Sequence, residues 1–93
     1  MALRFSWDPR KAIRNQRKHG ISFPEATTAF ADLLSVTIPD PDHSVGEHRY
    51  LLVGMTALSQ LVVVAHSERG DEIRLISARQ ATRAERETYE EGE

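Results

Sequence analysis

Ile73-Arg74-Leu75-Ile76-Ser77-Ala78-Arg79-Gln80-Ala81-Thr82-Arg83-Ala84-Glu85-Arg86-Glu87-Thr88-Tyr89 reads as an apolar strand that runs without a break into a helix. The residues from Glu72 to Ala78 set the strand. Thr82, with Glu85 three places on, spells a capping box that opens a helix to roughly Glu91. Four guanidinium groups, those of Arg74, Arg79, Arg83 and Arg86, are thereby expected around one strand-to-helix corner. Arginine in the middle of an apolar strand calls for an explanation, because charged side chains are rarely buried without a partner.

Upstream, His48–Thr56 and Leu61–Ser67 are two further strands joined by a turn near residues 57–60, and Gly70-Asp71 makes the hairpin into the Arg74 strand. Leu61-Val62-Val63-Val64-Ala65 has no polar position, which predicts a central strand covered on both faces. Leu34–Ile38 is a shorter strand, followed by the loop of residues 39–46. At the N-terminus, Leu3–Trp7 alternates as a strand should. Asp8-Pro9 then gives an N-cap with proline in the first turn, opening a helix that Gly20 ends. Ser22-Phe23-Pro24-Glu25 spells another capping box, for a helix to about Ala31 with Phe23, Ala26, Ala29 and Phe30 as its apolar stripe. The order is strand, helix, helix, four strands, helix. Hairpin connections then imply an α+β domain over residues 1–93, with a mainly antiparallel sheet and the first two helices on one face.

Composition narrows the function classes. A chain of 93 residues with 40% apolar and 28% charged residues is an ordinary single globular domain, with no room for a second catalytic unit. It has no cysteine, which removes disulfides, thiolate nucleophiles and Cys-containing zinc sites. No long apolar run opens the sequence, so a cytoplasmic protein without a membrane span is expected. The formal net charge of −2 hides a block pattern. Residues 1–20 carry Arg4, Arg10, Lys11, Arg14, Arg17 and Lys18 against Asp8 alone, whereas residues 21–48 carry Glu25, Asp32, Asp40, Asp42 and Glu47 and no Lys or Arg. Such blocks create one surface suited to an anion and another suited to a basic partner.

Arg10, Arg14, Arg17 and Lys18 fall at helical spacing on one stripe. Like charges four apart cost the free helix about 0.2 to 0.5 kcal/mol per pair, a cost that a phosphate backbone offsets. With Arg83, and with Trp7 as a ring able to stack on a base, these are the candidate RNA contacts; a solvated face and a packing role for Trp7 are the plainer alternatives. Metal-free cleavage of RNA needs a base for the ribose 2′-hydroxyl, cations over the phosphate and an acid for the leaving 5′-oxygen. Arg74 and Arg79 suit charge stabilisation, because arginine stays protonated. His66 is the natural proton carrier, with His19 as the other choice and Glu68 and Lys18 as substitutes. Hairpin pairing puts His66 on the face of Leu75, Ser77 and nominally Arg79, opposite Arg74, a conflict eased by a bulge near Ser77 or by a strand that ends before Arg79. The loop Asp40-Pro41-Asp42-His43-Ser44-Val45-Gly46-Glu47-His48 holds carboxylates and imidazoles but fits no ligand spacing, so neither metal nor cofactor is expected.

Read together, Phe5-Ser6-Trp7-Asp8, then Lys11, Asn15, Lys18-His19-Gly20-Ile21 and Phe23, the loop into Arg49, and Ile73 to Arg79 with Ala81, Thr82, Glu85, Arg86 and Tyr89 resemble the BrnT family of toxins. The resemblance spans nearly the whole chain. It implies a RelE-like fold and a ribonuclease toxin of a type II toxin-antitoxin system that arrests translation and growth. It further implies a BrnA-type antitoxin as hetero-oligomeric partner, through which alone the complex reaches operator DNA. Lys18, His19, His66, Arg74 and Arg79 are supported as matches to the family's motifs. A non-catalytic nucleic-acid-binding module and a protein-interaction module are the competing classes.

Overall fold

The computed structural model describes residues 3–40 and 48–92. In chain order these form β1 (Arg4–Ser6), α1 (Pro9–His19), α2 (Phe23–Thr28), a 3₁₀ turn (Ala29–Ala31), β2 (Val36–Pro39), β3 (Arg49–Met55), β4 (Leu61–Arg69), β5 (Glu72–Gln80) and α3 (Arg83–Glu91). The strands make one sheet in the order β1-β5-β4-β3-β2. Neighbours are antiparallel except β1, which pairs parallel to β5 through Arg4–Glu72, Phe5–Ile73 and Ser6–Arg74. The expected α+β arrangement is the one found; the parallel β1 at the sheet edge is the feature the hairpin reading did not contain.

Local chemistry accounts for the helices. Asp8 accepts from the Arg10 amide at 2.8 Å, Pro9 fills the first turn, and Gly20 closes α1 at φ 74°, a left-handed conformation that favours glycine. Ser22 caps α2 by accepting from the Glu25 amide at 3.1 Å. The reciprocal half of that box is not made, since Glu25 Oε2 accepts instead from Thr56 Oγ1 at 2.9 Å and Gln60 Nε2 at 2.8 Å, tying α2 to the β3–β4 turn. Gly54 lets β3 pass close to the 3₁₀ turn, where an added Cβ would stand 3.0 Å from the Ala29 carbonyl oxygen.

The main core lies between the sheet and the first two helices. Ile21, Phe23, Ala26 and Ala29 meet Leu52, Val62, Val64, Ile73, Leu75 and Ala78, with Phe5, Trp7, Ala12 and Phe30 at the margin. Trp7 sits edge-on to Phe23 with ring centroids 5.8 Å apart, so its large ring is spent on packing. Val53, Leu61 and Val63 form a smaller cluster on the opposite face, joined by Leu51, Met55, Ala81 and Tyr89 of α3. The apolar run of β4 is thus covered from both sides. α3 reaches only the end of the sheet where β5 finishes, so among the described residues no helix covers the other end of that face.

Asn15 completes the sheet where β1 stops. Its Oδ1 accepts from the Ala78 amide at 3.0 Å, and its Nδ2 donates to the Ala78 carbonyl at 2.8 Å and to the Ile21 carbonyl at 3.0 Å. A buried side-chain amide from α1 therefore replaces the missing strand.

Candidate functional site

Side-chain direction in β5 is decided by one residue. Ser67 pairs with Arg74 and His66 with Leu75, but Ala65 pairs with Ser77, leaving Ile76 as an extra residue in a bulge. The bulge puts Arg74, Ser77 and Arg79 on one face, with Ala65 and Ser67. His66, Leu75 and Ala78 are on the other, beneath the helices.

The expectation of His66 beside Arg74 and Arg79 is therefore corrected. His66 is fully buried, with Phe30 edge-on at 4.9 Å and Tyr50 stacked at 5.9 Å. Its ring nitrogens face the Val64 carbonyl and Glu68 Oε2, each at 3.1 Å. No bound ribose reaches it without opening the core. Glu68, its partner on the same face, is exposed but does not line the cleft described below. Lys18 and His19 end α1, one turn past the Asn15 that is bonded to Ala78, and neither lines the cleft described below.

Arg74 and Arg79 share a face but not a site. Their pairing partners Ser67 and Val63 lie four residue steps apart on β4, which puts their Cα atoms about 13 Å apart at strand rise. Arg79 is gripped at both ends of its fork by Glu85, at 2.7 and 2.8 Å. The Glu85 hydrogen bond holds the Arg79 guanidinium above its ordinary pKa. In return, the hydrogen bond from Arg79, helped by the Thr82 amide, depresses the Glu85 carboxyl to about 2. Because Glu85 also completes the capping box with Thr82, Arg79 anchors α3 to the sheet. Arg83 is extended on the surface of α3 near Glu87 at 3.6 Å, and Arg86 borders a separate hollow beside Gln80. The four-arginine corner is thus a corner of three, with Arg74 at the far end of the strand.

Arg74 belongs instead to a row that crosses four strands. The registers place Arg49 opposite Ser67, Ser67 opposite Arg74 and Arg74 opposite Ser6. Two strand spacings separate the Arg49 and Arg74 backbones, about 10 Å, with a serine between them and another beyond. Ser67, Arg69, Glu72 and Arg74 line a cleft of about 230 Å³ on this open face. Arg74 is exposed, and among the described residues its one polar contact is Nη1 to Ser6 Oγ, at the long distance of 3.5 Å. Ser6 donates in turn to Glu72 Oε2 at 2.8 Å. A guanidinium without a carboxylate partner, in a polar hollow with other arginines, is built to receive an anion.

Sequence reasoning found Arg74 and missed its neighbours Arg49, Ser67, Arg69, Glu72 and Ser6. The pairing of Ser67 with Arg74 followed from the Gly70-Asp71 hairpin and could have been read; Arg49 and Ser6 needed the registers of β3 and β1. The candidate RNA contacts Arg10, Arg14 and Arg17 are all exposed on α1, and Trp7 is half-buried. Residues 41–47, most of the acidic loop, lie outside the described residues. Among those described, no group of His, Asp and Glu side chains could hold a metal ion.

Comparison with known proteins bears on family and fold. The family described as ribonuclease toxin, BrnT, of type II toxin-antitoxin system matches residues 7–85. The crystal structure of the Brucella abortus ribonuclease toxin, BrnT, superposes with a TM-score of 0.69 at 24% identity, covering 88% of this chain and 100% of that one, a likeness of fold. No curated protein matches.

Proposed function

Because this chain belongs to the BrnT family of ribonuclease toxins of type II toxin-antitoxin systems, we propose that it is a metal-independent endoribonuclease of the cytoplasm, one that cuts RNA, arrests translation and growth, and is neutralised by a BrnA-type antitoxin. The observation that carries this reading is the row Arg49-Ser67-Arg74-Ser6, in which Arg74 is exposed beside a polar cleft.

Cleavage proceeds by attack of the ribose 2′-oxygen on the adjacent phosphorus, giving a 2′,3′-cyclic phosphate and a 5′-hydroxyl. Negative charge grows on the non-bridging oxygens as the fifth bond forms. Arg74, with Arg49 beside it, is fixed in the sheet before the substrate arrives and need not reorganise as that charge develops. A preorganised donor of this kind is typically worth about 10² to 10³ in rate. The exposed stripe Arg10, Arg14 and Arg17, extended by Lys18 and His19, and Arg83 on α3 supply sequence-independent contacts to the phosphates on either side. Trp7, committed to Phe23, contributes the outer edge of its ring to that path. Operator DNA is reached through the antitoxin and not through this chain.

Purified protein incubated with single-stranded RNA in EDTA is expected to leave 2′,3′-cyclic phosphate ends. Its induction in cells is expected to stop growth until the antitoxin is co-expressed. Loss of cleavage in EDTA would point to a metal site, and salt-sensitive binding without turnover to a binding module.

A further inference from the structure

Resting on the ribonuclease reading above, we infer that Glu72 is the group that takes the 2′-hydroxyl proton, and that Ser6 is the positioning residue that keeps its carboxylate available. Glu72 stands two residues before Arg74 on the same face of β5, and among the described residues it is the carboxylate that lines the cleft. Ser6 Oγ donates to one of its oxygens at 2.8 Å. Among the described residues Ser6 is the one hydrogen-bond partner of Glu72, and it engages Oε2 alone. Arg74 approaches the same hydroxyl from the other side at 3.5 Å.

The serine thus stands between cation and carboxylate. A direct fork of Arg74 on Glu72 would neutralise both, as Arg79 and Glu85 neutralise each other at 2.7 and 2.8 Å on the same strand. With Ser6 interposed, the guanidinium keeps its donors for a phosphate while the carboxylate keeps a lone pair for a proton a few ångströms away. His66 is sealed in the core with Glu68 as its partner, and Asp71 is paired with Arg4 at 3.1 Å. Among the described residues, the charged groups that face Glu72 are Arg4 from β1, Arg69 from β4 and Arg74 on its own strand.

In the step itself, Glu72 accepts the proton of the ribose 2′-hydroxyl as the 2′-oxygen electron pair forms the new bond to phosphorus. The bond from phosphorus to the 5′-oxygen breaks, and its electron pair leaves on that oxygen, which takes a proton from water at the open mouth of the cleft. The hydroxide so formed recovers the proton from Glu72. No oxidant, metal or second side chain is needed for the balance.

The test compares wild-type protein with Glu72→Gln, Glu72→Asp and Ser6→Ala on a 5′-labelled single-stranded RNA, in EDTA at constant ionic strength, from pH 4 to pH 9. Glu72→Gln keeps an acceptor for Ser6 but cannot take a proton. Its kcat/KM is expected to fall by about 10²- to 10⁴-fold, with RNA affinity equal or tighter and Tm unchanged. The acidic limb of the wild-type pH profile is expected to vanish with it. Glu72→Asp retains that limb at reduced rate, and Ser6→Ala, which loses only the positioning bond, falls by roughly tenfold and also retains it. Glu72→Gln within threefold of wild type overturns the inference and leaves the ribonuclease reading standing. Equal losses in Glu72→Gln and Ser6→Ala with a common drop in Tm make the contact merely structural and overturn it too. An inactive wild type overturns both.

Discussion

Arg74 and Arg79 lie on the same strand and the same face, yet their surroundings assign them opposite work. Arg79 meets a carboxylate already inside the fold. Arg74 meets a hydroxyl at a weak distance and open solvent. Glu85, depressed to about 2 in the fold from an ordinary 4.5, adds stability that is complete above its unfolded value and is lost as pH falls through about 2. Stability measured by urea denaturation is therefore expected to fall between pH 5 and pH 2, and Glu85→Gln should flatten that part of the curve. Asn15 allows a second test. Asn15→Ala leaves the Ala78 amide and two buried carbonyls without partners, and is expected to cost on the order of 3 kcal/mol in the same assay.

At the scale of elements, α3 is the least firmly held part of the fold. None of its residues is fully buried. It is fixed to the sheet by the Arg79–Glu85 pair at one end and by Tyr89 at the other, whose hydroxyl donates to Asp32 Oδ2 at 2.7 Å. Burial pushes the Asp32 carboxyl upward. The hydrogen bonds from Tyr89 and from the Met55 and Leu34 amides outweigh it and hold the group below its usual range. Tyr89→Phe removes one of these bonds and is expected to cost about 1 kcal/mol, with amide exchange in α3 quickening while β4 and β5 stay protected. The helices and the three long strands were legible in the sequence because caps, glycine stops and apolar periodicity are local signals. The bulge was legible only as one option near Ser77, since nothing in Leu75-Ile76-Ser77 fixes which residue is unpaired until β4 is laid beside it. That one residue moved Arg79 onto the face of Arg74 and left His66 behind. The four-strand row was hidden for a related reason, as it joins residues as distant in sequence as Ser6 and Arg74 through a parallel pairing that no turn chemistry specifies.

At the scale of the whole molecule, a chain with a formal net charge of −2 concentrates cations on α1 and around the Arg74 end of one sheet face. RNA affinity should therefore fall steeply with salt, and Arg74→Ala should reduce the slope of log K against log salt by about 0.7, one phosphate contact on a single strand. The scissile phosphate is held at one end of β5, and paired alanine variants separate the two ends of the strand. Cleavage of labelled RNA in EDTA and thermal unfolding are measured for Arg74→Ala and Arg79→Ala side by side. Arg74→Ala is expected to lose about 10²-fold or more in kcat/KM at an unchanged Tm, whereas Arg79→Ala is expected to lower Tm and cleave within a few-fold of wild type. The reverse pattern, with Arg74→Ala cleaving normally and Arg79→Ala folded but inactive, would contradict it.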